Sequence, residues 1–444
     1  MEALETRLGP LEDKVALVLE QAKKLGASGA EAGAGLDEGL SVTSRMGEVE
    51  TVEYHCDQSL GVTVYFGGRK GSASTSDLSE KSLRETVEAA CVIARHANED
   101  PCAGLPDKET LAIDIPDLDL NHPWQLSAEQ AIELATACEQ AALDYHQDIV
   151  NSEGATVNTH HGIRVLGNTL GFLHGYPASR HSLSCAVVGK RDDQMQRDYW
   201  YTVARDPSDL EAPEKVGLEA AQRTLSRLGA RSLSTRQVPI IYAAEMATSL
   251  IGHFLAGVRG GNLYRKTSFL LDSLGKKILP DFVHIHEEPH IPKGIGSAPY
   301  DNEGVATYPH DLVREGIVAS YILDSYSARK LGMQTTGNAG GVHNVLIDPG
   351  KLGRMQMLQE MGTGLLVTEL MGHGINLVTG DYSRGAAGFW VEDGNIQYPV
   401  EEITIAGNLK DMLANLVSVG KDIDRRGNIR TGSIWLANMT VAGN

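Results

Sequence analysis

The sequence predicts an α+β protein: an N-terminal half of antiparallel sheets flanked by helices, and a C-terminal β-rich domain, barrel- or sandwich-like, around a central helix. Three observations carry this. Before residue 235 the hydrophobic period runs helix, strands, helix, and that order occurs twice. From Val238 the texture changes to Gly-rich, strand-like stretches broken by turns. At the head of that second half, Pro239 to Lys266 reads as a short apolar strand running into a helix and out through a Gly-rich turn.

In chain order, residues 10–26 place Val15, Leu17, Val18, Ala22 and Leu25 at helical spacing and end in GASGAEAGAG. The stretch GLSVTSRMGEVETVEYHCDQSLGVTVYFGGRKGSASTSDLS then alternates polar and apolar residues, with turns at Met46-Gly47-Glu48, Asp57-Gln58-Ser59 and Gly67-Gly68-Arg69, which predicts an antiparallel meander. Asp77 or Ser79 caps the next helix, and Leu83, Val87, Ala90, Ile93 and Ala94 face inward along it. Residues 99–126, rich in Pro and Asp and without periodicity, form a linker or a long surface crossing. Ser127 caps a further helix, with Glu129 near its first turn. A second set of antiparallel strands follows, and then a helix from Pro213 to Leu228. This gives an N-terminal α+β domain at 1–235, divisible into 1–105 and 125–235, and a C-terminal domain at 236–444. No sequence identity supports a duplication.

In the central helix Met246, Leu250, Ile251, Phe254, Leu255 and Val258 recur on one face, so that face is buried; Gly260 and Gly261 end it. Further on, GIVASYILDSYSARKLG gives a strand and a short helix, and Thr335 to Val342 is too Gly-rich for either. Gly364 to Gly407 is the most strand-dense part. A short helix, LKDMLANLVSVG, and a last strand pair close the chain.

Composition narrows the function. With 42% hydrophobic and 22% charged residues over 444 positions, the chain has ample core. A formal charge of -19 argues against nucleic acid and anionic membranes as partners. The start has no basic region before an apolar run, and no stretch of about 18 apolar residues occurs, so a cytoplasmic, soluble protein is expected. Cys56, Cys91, Cys102, Cys138 and Cys185 are widely spaced without a C-x-x-C pair and read as free thiols. Neither a P-loop nor a G-x-G-x-x-G between strand and helix occurs, and Ser383 in GDYSRG lacks a nucleophile elbow, which argues against nucleotide binding and a serine hydrolase. His160 and His161 are adjacent on a strand and face opposite sides, so they cannot chelate one ion.

The blocks YRKTSFLLDSLGKKILPD, SYSARKLGMQTTGNAGG and TELMGHGINLVTGDYSRGAAGFWVEDGNIQYPVEEITIAGNLKDML resemble the TldD/PmbA family, and the likeness covers nearly the whole chain. In that family the TldD-type subunit carries a zinc-binding H-E-x-x-x-H helix motif and a late Cys. Laid onto this chain, the motif falls on Thr248, Ser249, Leu250, Ile251, Gly252 and His253, and the late Cys on Thr431. Only the last His is present. A catalytic zinc takes three N, S or O ligands and leaves one position for the water it activates. Threonine hydroxyls replace neither an imidazole nor a thiolate, and Ser249 cannot take a proton as Glu would. Ligands at i and i+5 lie about 140° apart on a regular helix, so such a motif needs a widened turn, which Gly252 is suited to allow.

The resemblance therefore implies a metal-free subunit of a cytoplasmic metalloprotease, with zinc in a TldD-type partner and peptides or unfolded segments as substrate; a homodimer is a further option. It also implies a closed assembly, for which the Gly-flanked pair Phe389 and Trp390 on the strand-dense segment are the interface or peptide-contact candidates. Two other readings stand beside it. One is a self-sufficient metallohydrolase using His253 or the cluster His284, His286 and His290 with Asp281 and Glu287 nearby, in which His284 and His286, two apart, share one strand face. The other is a non-enzymatic regulatory or binding protein.

Overall fold

The computed structural model describes residues 4–443. Helix α1 (Leu8–Lys24) buries Leu11, Val15, Val18, Leu19 and Ala22 and leads into β1 (Gly29–Arg45), β2 (Glu48–Phe66) and β3 (Arg69–Thr75). Next comes α2 (Glu80–His96), capped by Ser79, whose hydroxyl accepts from the Ser82 amide. The second round repeats this order: α3 (Ala128–Leu143), β4 (Ile149–Asn168), β5 (Leu173–Arg191), β6 (Gln194–Ala204) and α4 (Pro213–Ser226). Ser127 starts α3 in a capping box with Gln130. Gln130 stands at the position from which a side chain reaches back to the cap amide, and Glu129 does not.

The two rounds share one sheet of order β3-β2-β1-β4-β5-β6, because β1 pairs with β4 from Glu31↔Asn168 to Ser44↔Ala155. Alternation on these strands turns Leu36, Leu60, Val62 and Ile163 toward α1 and α2. In the same way Leu40, Val42, Val157, Leu183 and Val187 turn toward α3 and α4. The Pro- and Asp-rich segment after α2 straps the sheet to the second half. Ala112 N–H donates to Gly304 O at 2.9 Å, Arg329 donates to the Cys102 and Gly104 carbonyls at 3.3 and 3.2 Å, and Tyr326 Oη donates to Asp100 at 2.7 Å.

The second half contains β7 (Arg236–Tyr242), α5 (Ala244–Gly257), α6 (Gly260–Tyr264), β8 (Ile285–Glu287), β9 (His310–Arg314), β10 (Ile317–Val318), α7 (Ser325–Leu331) and β11 (Val345–Ile347). It continues with α8 (Arg354–Met361), β12 (Gly364–Met371), β13 (Asp381–Glu392), β14 (Asn395–Asn408), α9 (Leu409–Ala414), β15 (Leu416–Val419), β16 (Ile429–Arg430) and β17 (Ile434–Ala442). Strands β14-β13-β12-β7-β17 close on themselves through Thr404↔Ala442 to Ala406↔Thr440, making a five-stranded barrel with β15 added on β17. Ile240, Tyr242, Leu365, Val367, Ile403, Ile405, Leu436 and Val441 share one core with Leu250, Ile251 and Phe254 of α5. On the opposite face Ile241, Leu366 and Val391 pack under Met357, Leu358 and Met361 of α8. A second sheet, β10-β9-β8-β11-β16, brings β16 against α5.

Several expectations change in detail. The turn expected at Asp57-Gln58-Ser59 does not form, since β2 runs unbroken from Glu48 to Phe66, and Ile93, expected to face inward on α2, is 49% exposed. Helix α5 stops at Gly257, and Gly260 opens α6 instead of ending α5. A Cβ at Gly260 would lie 2.3 Å from Ser327 Oγ, so the glycine there serves the close approach of α6 to α7. Trp390 is 3% exposed in the core, with its indole N–H donating to Glu392 at 2.7 Å, and Phe389 packs partly buried in the cluster under α8. Trp390 thus serves packing in this chain, and Phe389 keeps part of its surface open. Any contact surface there would have to be offered by Phe389.

Candidate functional site

Where the halves meet, a cleft of ≈ 590 Å³ opens, walled by β6, α4, α5, β12 and the 424–429 loop. Met246, expected on the buried face of α5, lines this cleft. Most of its charged groups are paired with one another. Arg223 meets Glu245 at 2.9 Å and Asp198 at 3.4 Å, and Arg227 meets Asp198 at 3.5 Å and also pairs with Glu369. Arg426 grips Asp424 through Nε and Nη2 at 3.0 and 2.9 Å, and its guanidinium lies over the Trp200 and Tyr201 rings at 3.9 and 4.6 Å. Burial opposes ionisation of Asp424, but the bonds from Arg426 outweigh it and hold the carboxyl below its usual range.

The sequence-predicted positions on α5 lie along this cleft. The helix is regular through Gly252, so the side chains at 248 and 253 diverge, with no widened turn to bring them together. Thr248 Oγ1 donates back to the Glu245 carbonyl at 2.8 Å. Ser249 and His253, four apart, do share a face, with Oγ 3.5 Å from Nε2, and Arg384 Nη1 donates to Ser249 Oγ at 2.9 Å. The His253 ring stands edge-on to Tyr382 at 6.0 Å. Burial, and then the Arg384 charge, lower its pKa, which favours the neutral ring. Thr431 is fully buried and donates to the Gly432 carbonyl at 3.0 Å.

These residues do not fit a zinc ion. One imidazole, hydroxyls turned to backbone carbonyls and a guanidinium bound to Ser249 offer a single good ligand and a fixed positive charge.

The histidine-rich segment is rearranged relative to expectation. His284 Nε2 lies 2.7 Å from Asp311 Oδ1, His284 Nδ1 3.5 Å from Asp348 Oδ2, and His286 Nε2 3.9 Å from Asp348 Oδ1. One donor atom each from His284, His286 and Asp311 falls within 4.8 Å of the others. His290 is not among them, since its Nε2 meets Thr307 Oγ1 at 2.9 Å. Asp281 pairs with Lys277 at 2.5 Å, and Glu287 is buried against Asn338 and His343. Asp311, Asp348, Arg384, Trp200 and Arg426 were not singled out by sequence. Apart from the Arg426–Asp424 pair, these contacts join residues remote in sequence, through sheet pairing, the packing of α5 on β13 or the meeting of the two halves.

Comparison with known proteins adds the following. Sequence profiles described as PmbA/TldA metallopeptidase domain 1, central domain and C-terminal domain match residues 31–94, 121–228 and 235–443. The metalloprotease PmbA of Escherichia coli O157:H7 is 55% identical over 433 residues, covering 98% of this chain and 96% of that one. A solved Bacteroides thetaiotaomicron protein, described as a candidate modulator of DNA gyrase, has a TM-score of 0.92 at 25% identity over 98% of this chain and 99% of that one. TldE from Thermococcus kodakarensis shares the fold, with a TM-score of 0.84 at 19% identity over 97% of this chain and 100% of that one. With three profiles matched in order and 55% identity across almost the full length, this chain belongs to the PmbA/TldD metallopeptidase family.

Proposed function

We propose that this chain is the subunit without a catalytic zinc in a two-subunit cytoplasmic peptidase, paired with a TldD-type subunit that carries that zinc and acting on peptides or unfolded segments. The observation that carries this is the state of the α5 cleft. In a metallopeptidase family, the positions for two zinc ligands and the general base hold Thr248, Thr431 and Ser249, with Arg384 bonded to Ser249. A metal bound by the single imidazole of His253 would exchange into solvent. No helix among the described residues is long and apolar enough to cross a membrane.

The rest of the cleft suits an extended chain. Met246 and Leu370 offer apolar lining, the paired Arg223, Asp198 and Glu245 neutralise one another, and Arg384 at Ser249 adds a positive charge that a peptide carbonyl or carboxylate can meet. The test is co-purification of the untagged chain with a tagged zinc-bearing homologue of the same cell. A stoichiometric complex is expected. Absence of any complex, together with zinc-dependent cleavage by this chain alone, would overturn the proposal. Pairing with no effect on cleavage would favour the regulatory reading.

A further inference from the structure

We propose that His284, His286 and Asp311, with Asp348 at the rim, form a site for a divalent cation of the zinc class, separate from the α5 cleft and independent of the subunit reading above. The site is built by three neighbouring strands. His284 and His286 lie two apart at β8 and therefore share a face, and the register places Asp311 of β9 opposite His286. On the other side β11 pairs with β8, and Asp348, just past its end, donates its amide to the His284 carbonyl at 3.1 Å. His286 and Asp311 are held by the sheet, and His284 and Asp348, one residue outside β8 and β11, are tied to each other by that amide hydrogen bond.

The distances are close to what a bound ion needs. Donors about 2.0–2.1 Å from a tetrahedral zinc stand about 3.4 Å apart. The three donor atoms already lie within 4.8 Å of one another, so rotations that move each by less than about 1 Å would close the set. Arg314 Nε donates to Asp311 Oδ2 at 2.6 Å, which orients that carboxylate and leaves Oδ1 facing the histidines. Two imidazoles with carboxylates favour zinc, cobalt or nickel over magnesium or calcium, which take oxygen ligands. Asp348 is half exposed, so an ion can enter from solvent.

The competing account is an ion-pair cluster in which His284, between Asp311 and Asp348, binds no metal. To decide, zinc binding to the untagged full-length chain is measured by calorimetry, and cobalt binding by visible absorption, for the wild type and for His286→Ala, Asp311→Asn, His253→Ala and His290→Ala. The expected result is one equivalent in the wild type, His253→Ala and His290→Ala, with affinity weakened by at least about 10- to 100-fold in His286→Ala and Asp311→Asn. Circular dichroism checks that each variant folds. Should either ligand variant fail to fold, the cobalt spectrum of the wild type decides: intense bands of a four- or five-coordinate ion support the site, and a weak, aqua-like spectrum overturns it. Absence of zinc binding to the wild type, or binding unchanged in a folded His286→Ala, also overturns it.

Discussion

Replacing His253 and its neighbour Phe254 separately by alanine separates the cleft-facing side of α5 from its core side. His253→Ala removes one edge-on ring contact with Tyr382, worth about 0.5–1.5 kcal/mol. The 3.5 Å contact with Ser249 is at the limit of a hydrogen bond and adds little. Alanine also returns roughly 0.5 kcal/mol of helix propensity, and water from the cleft can fill the space, so the net cost is at most about 1 kcal/mol. Phe254 is fully buried, and its loss should cost about 3–5 kcal/mol. An unfolding entropy of about 2.1 cal/mol/K per residue over 444 residues sets roughly 1 °C of Tm per kcal/mol, hence at most about 1 °C against about 3–5 °C. Thermal scans at several pH values test this. Because the folded His253 has a depressed pKa, the unfolded chain takes up its proton first, and the stability that the neutral ring contributes is lost as pH falls below about 6.5. The gap between wild type and His253→Ala should therefore narrow on acidification. A gap that widens, or a Tm loss as large as that of Phe254→Ala, would refute this placement of His253.

The remaining predictions concern the joint between the halves. Burial raises the Glu303 pKa to about 7, so its contribution to stability is present below its ordinary value of 4.5 and is lost as pH rises through 7. Glu303→Gln should gain in Tm over the wild type between about pH 6 and 8, and parallel pH profiles would contradict this. Arg329→Ala removes the bonds to the Cys102, Gly104 and Leu105 carbonyls, at a cost of about 2 kcal/mol. Limited proteolysis should then cut faster within 97–110; unchanged cleavage would show that the strap is held elsewhere.

Most of the secondary structure was legible because it is carried by local periods. Val15, Val18 and Ala22 on α1 and Val157 and Val187 on the long strands are buried as their spacing requires. Closure of the barrel and fusion of the two rounds into one sheet were not legible, since they depend on β14 meeting β17 and β1 meeting β4, pairings remote in sequence. The same divide runs through the sites. The departure from the family motif at 248, 249 and 431 could be read from residue identity, whereas Arg384 bonds to Ser249 from 135 positions away. His284 with His286 was visible as a two-residue spacing; its completion by Asp311, 27 positions on, needed the β8–β9 register. Trp390 reads as an interface or peptide-contact candidate flanked by glycines, yet it packs in the core of the second half.

The central claim, that this chain needs another subunit's metal, is tested most directly by peptide cleavage. An unfolded peptide is given to this chain alone, to a zinc-bearing TldD-type homologue alone, and to the two mixed at equal concentration. The account predicts no cleavage by this chain alone and cleavage by the mixture that exceeds that of the homologue and is abolished by a chelator. Zinc-dependent cleavage by this chain alone, lost in His253→Ala, would contradict it.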